Sequence, residues 1–196
     1  MDQQIYHIQT AKSWFSTYQI DNNNVKFIEN IVKEIDIQLE SNLPIVIYGK
    51  ECIQHRSIGF FSNKSIGYKY SKKLLKSKPL SDNLWVLLEQ INRKFKSDYN
   101  GILINKYLDG SEYIGKHSDD ESALSNAGVV AISSGTPRTF RVRCKKTGEI
   151  IKDIITQSDQ ILIMGGDFQK EFTHEIPIEK KVNKPRYSLT FRKHLN

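Results

Sequence analysis

His117-Ser118-Asp119 places an imidazole and a carboxylate two residues apart, and a second histidine, His174, stands 57 positions further along. In an extended segment residues 117 and 119 point to the same side, so both can grip one ion without strain. Two imidazoles and one carboxylate are the set that holds Fe(II) by one face and leaves the other face open to a co-substrate and oxygen. Zinc is the competing metal, but a structural zinc takes four ligands, and Cys52 and Cys144 are not placed to complete such a set. Asp120 and Glu121 compete with Asp119 as the oxygen donor, although neither shares its spacing from His117. The other three histidines, His7, His55 and His194, have no carboxylate two residues on.

Downstream, Arg186 and Arg192 are six residues apart, an even spacing that puts both on one face of a strand with Ser188 and Thr190 between them. Two guanidiniums directed into a protein interior are costly unless an anion meets them. A dicarboxylate such as 2-oxoglutarate would meet them, through the planar fork that guanidinium offers to carboxylate. A wet edge strand is the alternative. Asn105 and Tyr107 form a second even-spaced polar pair, available for hydrogen bonds to the same ligand.

The elements that must position these groups are of two kinds. Asn22-Asn23-Asn24 caps a helix whose apolar face is Ile28, Ile31, Val32, Ile35 and Leu39. A second helix starts near Ser81 and turns Leu84, Leu87, Leu88, Ile91 and Phe95 inward, with Lys94 and Lys96 outside and Trp85 in the core or on a flank. From residue 100 the texture changes to short strands at 102–105, 129–133, 139–143, 150–155, 161–164, 172–175 and 187–192, separated by glycine- and charge-rich turns. Helices followed by at least seven strands predict an all-β core with flanking helices, a sandwich or barrel in a single domain over 1–196. A doubly wound α/β fold is disfavoured, since the second half offers no crossover helices.

The chain of 196 residues carries a net charge of +7, unevenly spread: residues 50–98 hold 11 basic against 4 acidic side chains, whereas residues 1–49 are net acidic. A basic segment ahead of a metal site suits a phosphate-bearing partner, and a solvated face is the alternative. Two cysteines outside any CxxC pair argue against a disulfide framework and for a reducing, intracellular compartment, nucleus or cytoplasm undetermined. The N-terminus has no secretory pattern, and no apolar run is long enough to span a bilayer, so no membrane partner is expected. A monomer is expected.

These residues resemble the AlkB-like 2-oxoglutarate/Fe(II) dioxygenases, in the branch that repairs alkylated nucleic acid. The similarity runs from about residue 45 to 192 in order and spacing: Asn105-Lys106-Tyr107, Gly110, residues 114–121 around the HSD triplet, residues 133–140 (SSGTPRTF), residues 168–177 (FQKEFTHEIP) and residues 186–192 (RYSLTFR). The resemblance implies a double-stranded β-helix (jelly roll) over 99–196, with a nucleotide-recognition region and support helix over about 45–98. It implies Fe(2+) on His117, Asp119 and His174, and 2-oxoglutarate held by Asn105, Tyr107, Arg186, Ser188 and Arg192, with O2 as co-substrate. Arg186 would meet the distal carboxylate, while Arg192 and Asn105 would serve the end nearer the metal. Ser188 stands where relatives often carry asparagine.

In the recognition region a strand over 45–48 is followed by Gly49-Lys50, Arg56, Phe60-Phe61 and Tyr68-Lys69-Tyr70. Interleaved aromatics and cations suit base stacking with phosphate contact. The expected substrate contacts are Arg56, Tyr68, Tyr70 nearest a flipped base, and Phe60 or Phe61 as wedge or flank. Asp120, Glu121 and Arg138 would read or support a base edge. Arg141, Arg143, Lys145 and Lys146 form a further basic hairpin. Relatives often carry proline where His55 precedes Arg56.

The implied activity is oxidative demethylation of bases such as 1-methyladenine and 3-methylcytosine in methylated DNA, with RNA as a second polymer, releasing formaldehyde, succinate and CO2. Two alternatives are an AlkB-type oxygenase acting on a regulatory RNA methyl mark or a protein side chain, and a non-catalytic nucleic-acid-binding module.

Overall fold

The structure is a computed structural model that describes residues 4–47, 49–70, 73–119 and 128–194. Two strands, β1 (Ile5–Gln9) and β2 (Ser13–Gln19), precede helix α1 (Asn22–Asp36). Then come β3 (Pro44–Ile47), β4 (Lys50–Ile53), β5 (Ser57–Phe61), β6 (Gly67–Tyr70), β7 (Lys73–Lys76) and helix α2 (Asp82–Phe95). The remainder is β8 (Gly101–Tyr107), β9 (Ile114–His117), β10 (Val129–Gly135), β11 (Arg138–Cys144), β12 (Ile150–Thr156), β13 (Gln160–Gly166), the single turn α3 (Phe168–Glu171), β14 (Phe172–Ile176) and β15 (Arg186–Arg192). No helix among the described residues is long and apolar enough to cross a membrane.

A seven-stranded sheet, ordered β1-β2-β13-β10-β15-β8-β5, faces a four-stranded sheet, β12-β11-β14-β9. Every pairing between the described strands is antiparallel, as the jelly roll requires and the doubly wound alternative does not allow. Alternation divides each strand of the large sheet. Phe15, Ala131, Leu162 and Met164 point inward and pack on Phe140, Val142, Ile154 and Phe172 of the small sheet. Ile102, Ile104, Val130, Ile132, Leu189 and Phe191 point outward, where Ile28, Ile31 and Ile35 of α1 and Leu84, Leu88 and Ile91 of α2 cover them.

Both helices form where the apolar period predicts. Ser81 caps α2 by accepting from the Leu84 N–H at 3.3 Å, and Trp85 lies on an exposed flank. The cap of α1 falls one residue earlier than the asparagine run: the Asp21 carboxylate accepts from the Asn24 N–H at 3.1 Å. Leu39 lies beyond the end of α1 yet still packs on the helix-side core.

Strands β1 and β2 extend the large sheet without having announced themselves. Their inward and interfacial positions include buried Ser13, Ser16 and Thr17, so the period-2 hydrophobic pattern is broken by small polar groups. Two hairpins, β3-β4 and β6-β7, form separate two-stranded sheets, with β3 beginning one residue before the expected strand. They close over a small cluster of Ile58, Phe60, Tyr68 and Leu103, flanked by Leu43 and Leu75.

Candidate functional site

The pairing of β9 with β14 sets His117 directly opposite His174. Asp119 follows β9 by two residues, and its backbone N–H is held by the Gln169 side-chain oxygen at 2.9 Å. One donor atom from each of His117, Asp119 and His174 lies within 4.8 Å of the others. The closest imidazole–carboxylate approaches, 3.8 Å from His117 Nε2 and 3.7 Å from His174 Nε2, are too long for hydrogen bonds and leave room between the groups for an ion. Nδ1 of His117 lies 2.9 Å from the Gly115 carbonyl, a contact that favours the Nδ1–H tautomer and leaves Nε2 free to ligate.

The electrostatics agree with that role. Burial lowers His117 despite the attraction of Asp119, and burial followed by repulsion from His117 pulls His174 down to about 3. Burial would raise the Asp119 carboxyl, but Arg192 and the two imidazoles outweigh it and hold it below its usual value. Neutral imidazoles beside an ionised carboxylate are the protonation states that a divalent metal needs. Phe140 stacks on the His174 ring, 5.1 Å between centroids at 13°.

The same cavity, about 480 Å³ including its open mouth, is walled by Arg186, Ser188, Thr190 and Arg192 along β15 and by Asn105 and Tyr107 along β8. The register places Arg186 opposite Tyr107 and Ser188 opposite Asn105, so both even-spaced polar rows share one face. Arg192 Nη2 donates to Asp119 Oδ1 at 2.5 Å. Arg186 is 2% exposed, its Nε donates to Ser133 Oγ at 3.1 Å, and no acidic side chain among the described residues forms an ion pair with it. Burial, against a lift from Tyr107, pulls this guanidinium down to about 10. A buried cation that keeps donors directed at a cavity beside three metal donors suits a metal-chelating acid carrying a second carboxylate.

The expected substrate contacts divide. Phe60 and Phe61 are 0% and 1% exposed. Phe60 belongs to the cluster under the hairpins and Phe61 to the helix-side core, so neither is a wedge. Strand β5 is covered on both faces, which the local sequence does not reveal. Arg56 is also buried, and its Nε donates to Asn105 Oδ1 at 2.8 Å, which makes it part of the cavity wall instead of an outer phosphate contact.

Arg138, 1% exposed, is no base contact but a structural group: it bonds Glu179 Oε2 at 2.8 Å and the carbonyls of Asp109, Glu112 and Pro177. These bonds tie together the loops beyond β8 and β14. Gly110 lies in the same junction, where a Cβ would collide with the Glu179 carbonyl. Arg141 forks onto Asp153 with two bonds of 2.7 Å and Arg143 bonds Glu175 at 2.9 Å, so those arginines of the basic hairpin already have partners.

His55 stacks on Tyr113, 4.8 Å between centroids, and its carbonyl accepts from the Tyr113 N–H, which fixes the loop before Arg56. Tyr68 is buried against Arg192. The side chain of Tyr70 and all of Asp120 and Glu121 lie outside the described residues.

Sequence reasoning assigned no task to Gln169 or Phe140. Alternation with Val142 could have turned Phe140 inward, whereas the reach of Gln169 to a residue 50 positions away had no local signal.

A jelly roll with a His-Asp-His donor set and a buried arginine in one cavity is the architecture of iron- and keto-acid-dependent oxygenases. The chain belongs to the 2OG-Fe(II) oxygenase superfamily, whose family model matches residues 24–192. It is similar to the DNA oxidative demethylase ALKBH2 of Mus musculus, 27% identical over 86% of this chain and 74% of the relative. The corresponding ALKBH2 of Bos taurus is 26% identical, and this chain spans 63% of its length. The alpha-ketoglutarate-dependent dioxygenase alkB homolog 3 of Mus musculus is 33% identical over 64% of this chain and 47% of the relative. Among solved structures, OsALKBH1 superposes with a TM-score of 0.59 at 16% identity, covering 95% of this chain and 99% of that one, a likeness of fold. Family and donor set together define Fe(2+), 2-oxoglutarate and O2 as the cofactor and co-substrates.

Proposed function

We propose that this chain is an Fe(II)- and 2-oxoglutarate-dependent oxidative demethylase of N-alkylated bases, 1-methyladenine and 3-methylcytosine, in DNA and also RNA. The observation that carries the reading is the shared cavity, which brings together three metal donors and a buried arginine that has no carboxylate partner among the described residues, in a chain whose residues 50–98 are strongly basic. The names of the ALKBH2 relatives, DNA oxidative demethylases, support the substrate class.

Bound iron would supply oxidising chemistry in which O2 is shared between 2-oxoglutarate, which would leave as succinate and CO2, and the N-methyl carbon, whose hydroxymethyl product would lose formaldehyde to restore the base. The residues of the chain do the positioning. His117, Asp119 and His174 would hold the metal by one face, with the Gly115 carbonyl orienting the first imidazole and Gln169 steadying the Asp119 backbone. Arg186 would receive the distal carboxylate in its planar fork. Asn105, its side-chain oxygen occupied by Arg56, is left to donate its amide N–H groups toward the inner carboxylate, beside Arg192 and Ser188. Tyr107 walls the same site, its ring centre 5.6 Å from the Arg186 guanidinium. Phe140 and the apolar inward face behind it keep water from the metal side. No proton-transferring residue is required of the protein. A base must leave a duplex, or come from a single strand, to reach this cavity.

The test is iron- and 2-oxoglutarate-dependent formaldehyde release from oligonucleotides carrying methylated adenine or cytosine, run side by side on single- and double-stranded DNA and RNA. Turnover on at least one of them is expected. Turnover of 2-oxoglutarate with no demethylation of any would transfer the activity to another substrate, a protein side chain being the next to try.

A further inference from the structure

Tyr68 belongs to β6, in the hairpin outside both main sheets, yet it is 3% exposed. Its ring meets Phe60 and His194, each 6.1 Å between centroids. It also lines a cavity between the two hairpins with Leu43, Ile45 and Leu74. Toward the sandwich, the Arg192 guanidinium carbon lies 5.2 Å from the ring centre, and Arg192 Nη1 donates to the Tyr68 hydroxyl at 3.3 Å. The other terminal nitrogen of Arg192 is the one that donates to Asp119. A chain of three side chains therefore joins the recognition hairpin to a metal donor.

An arginine at the end of a strand has several free torsions, and one hydrogen bond does not fix its plane. An aromatic face beside the guanidinium and a hydroxyl at its far nitrogen do so together. We propose that Tyr68 is a positioning residue: it holds the plane of Arg192, so that Asp119 keeps its orientation toward the metal and the inner carboxylate of 2-oxoglutarate meets a preset guanidinium. This rests on the iron and 2-oxoglutarate reading of the site, but not on the identity of the methylated substrate. The β6-β7 hairpin thereby becomes part of the metal site's support.

The experiment is an anaerobic titration of 2-oxoglutarate into the Fe(II)-loaded protein, read by the charge-transfer absorption of the chelate, with unfolding midpoints measured in parallel. Tyr68→Phe keeps the ring and removes the hydroxyl, and should raise the 2-oxoglutarate Kd about three- to tenfold. Tyr68→Leu removes both contacts and should raise it further. In an Arg192→Lys background Tyr68→Phe should add little, since the group it positions is gone. A tyrosine that merely fills space would lower the unfolding midpoint and leave the Kd alone. Wild-type Kd in both Tyr68 variants, or an undiminished Tyr68→Phe effect in the Arg192→Lys background, would overturn the proposal. Absence of the charge-transfer band in the wild type would instead remove the iron and 2-oxoglutarate reading, and the proposal with it.

Discussion

Two regions of this molecule meet at Tyr107 and treat buried arginine in opposite ways. On one side Arg138 lies 5.7 Å from the tyrosine ring centre and is bonded to one carboxylate and three carbonyls. On the other, Arg186 lies 5.6 Å from the same ring with Ser133 as its side-chain hydrogen-bond partner. Both guanidiniums have lost water, so the difference lies in who supplies the acceptors. Arg138 finds them in the loops it binds together, and it stabilises the fold. Arg186 lines a cavity beside the metal donors and has no acidic partner among the described residues, so an anion bound there would offset its desolvation. Burial alone does not separate a structural cation from a binding one; the unfilled donors do.

The comparison breaks first at the metal. His174→Ala should abolish formaldehyde release while leaving much of the oligonucleotide affinity, measured by turnover and by fluorescence anisotropy on the same preparation. Normal turnover in that variant would remove the donor assignment and with it the reason for Arg186 to stay unfilled.

The two arginines can be tested against each other by the same substitution. Arg186→Met should raise the 2-oxoglutarate Kd at least about thirtyfold while leaving the unfolding free energy of the ligand-free protein unchanged or higher. Arg138→Met should lower the unfolding free energy by about 3 kcal/mol, because it leaves three loop carbonyls without their donor and removes one partner of the Glu179 carboxylate, which Thr139 also holds. Denaturant unfolding reads both, and equal destabilisation by the two variants would erase the distinction.

The hairpins offer a third contrast, between committed and exposed charge. Lys50 and Lys76 of the hairpins and Lys64 in the loop leading into β6 are exposed, while Arg141 and Arg143 are engaged by acidic partners. Reversing the three lysines to glutamate should raise the oligonucleotide Kd about tenfold and flatten its salt dependence by about one unit of slope per lost phosphate contact. Binding that is unchanged across a salt series would move the interface elsewhere.

The smallest effect is expected behind the site, where Lys106 and the Tyr187 hydroxyl bond Asp36 and tie α1 to the sheet. Burial tends to raise the Asp36 carboxyl, but these two donors outweigh it and hold it below its ordinary value. The stabilisation is therefore present above the ordinary carboxylate range and disappears as pH falls through the lowered folded value. Asp36→Asn should cost about 0.5–1 kcal/mol at neutral pH, with the gap to wild type closing in acid.

Much of this was legible in the residues. Even spacing along β8 and β15 forecasts that Asn105 and Tyr107, and Arg186 through Arg192, would share a face, because strand geometry imposes a period of two. The spacing of His117 and Asp119 was readable for the same reason. The helices followed from their apolar period. What stayed hidden were the properties set by distant neighbours. Phe60 looks like a surface recognition residue until β5 is seen to be covered on both faces, Arg56 until its bond to Asn105 is seen, and Arg138 looks like a substrate contact until the loops it binds are in place.

By itself, then, the chain determined the donor types, their phase on each strand and the character of each half, since these follow from local geometry and chemistry. Only the tertiary structure decided that His117 pairs across from His174, that Gln169 reaches Asp119, and that one of two equally buried arginines is left with open donors. Those outcomes depend on strand register and on which segments close over a side chain, and such long-range contacts have no signature in the residues around it.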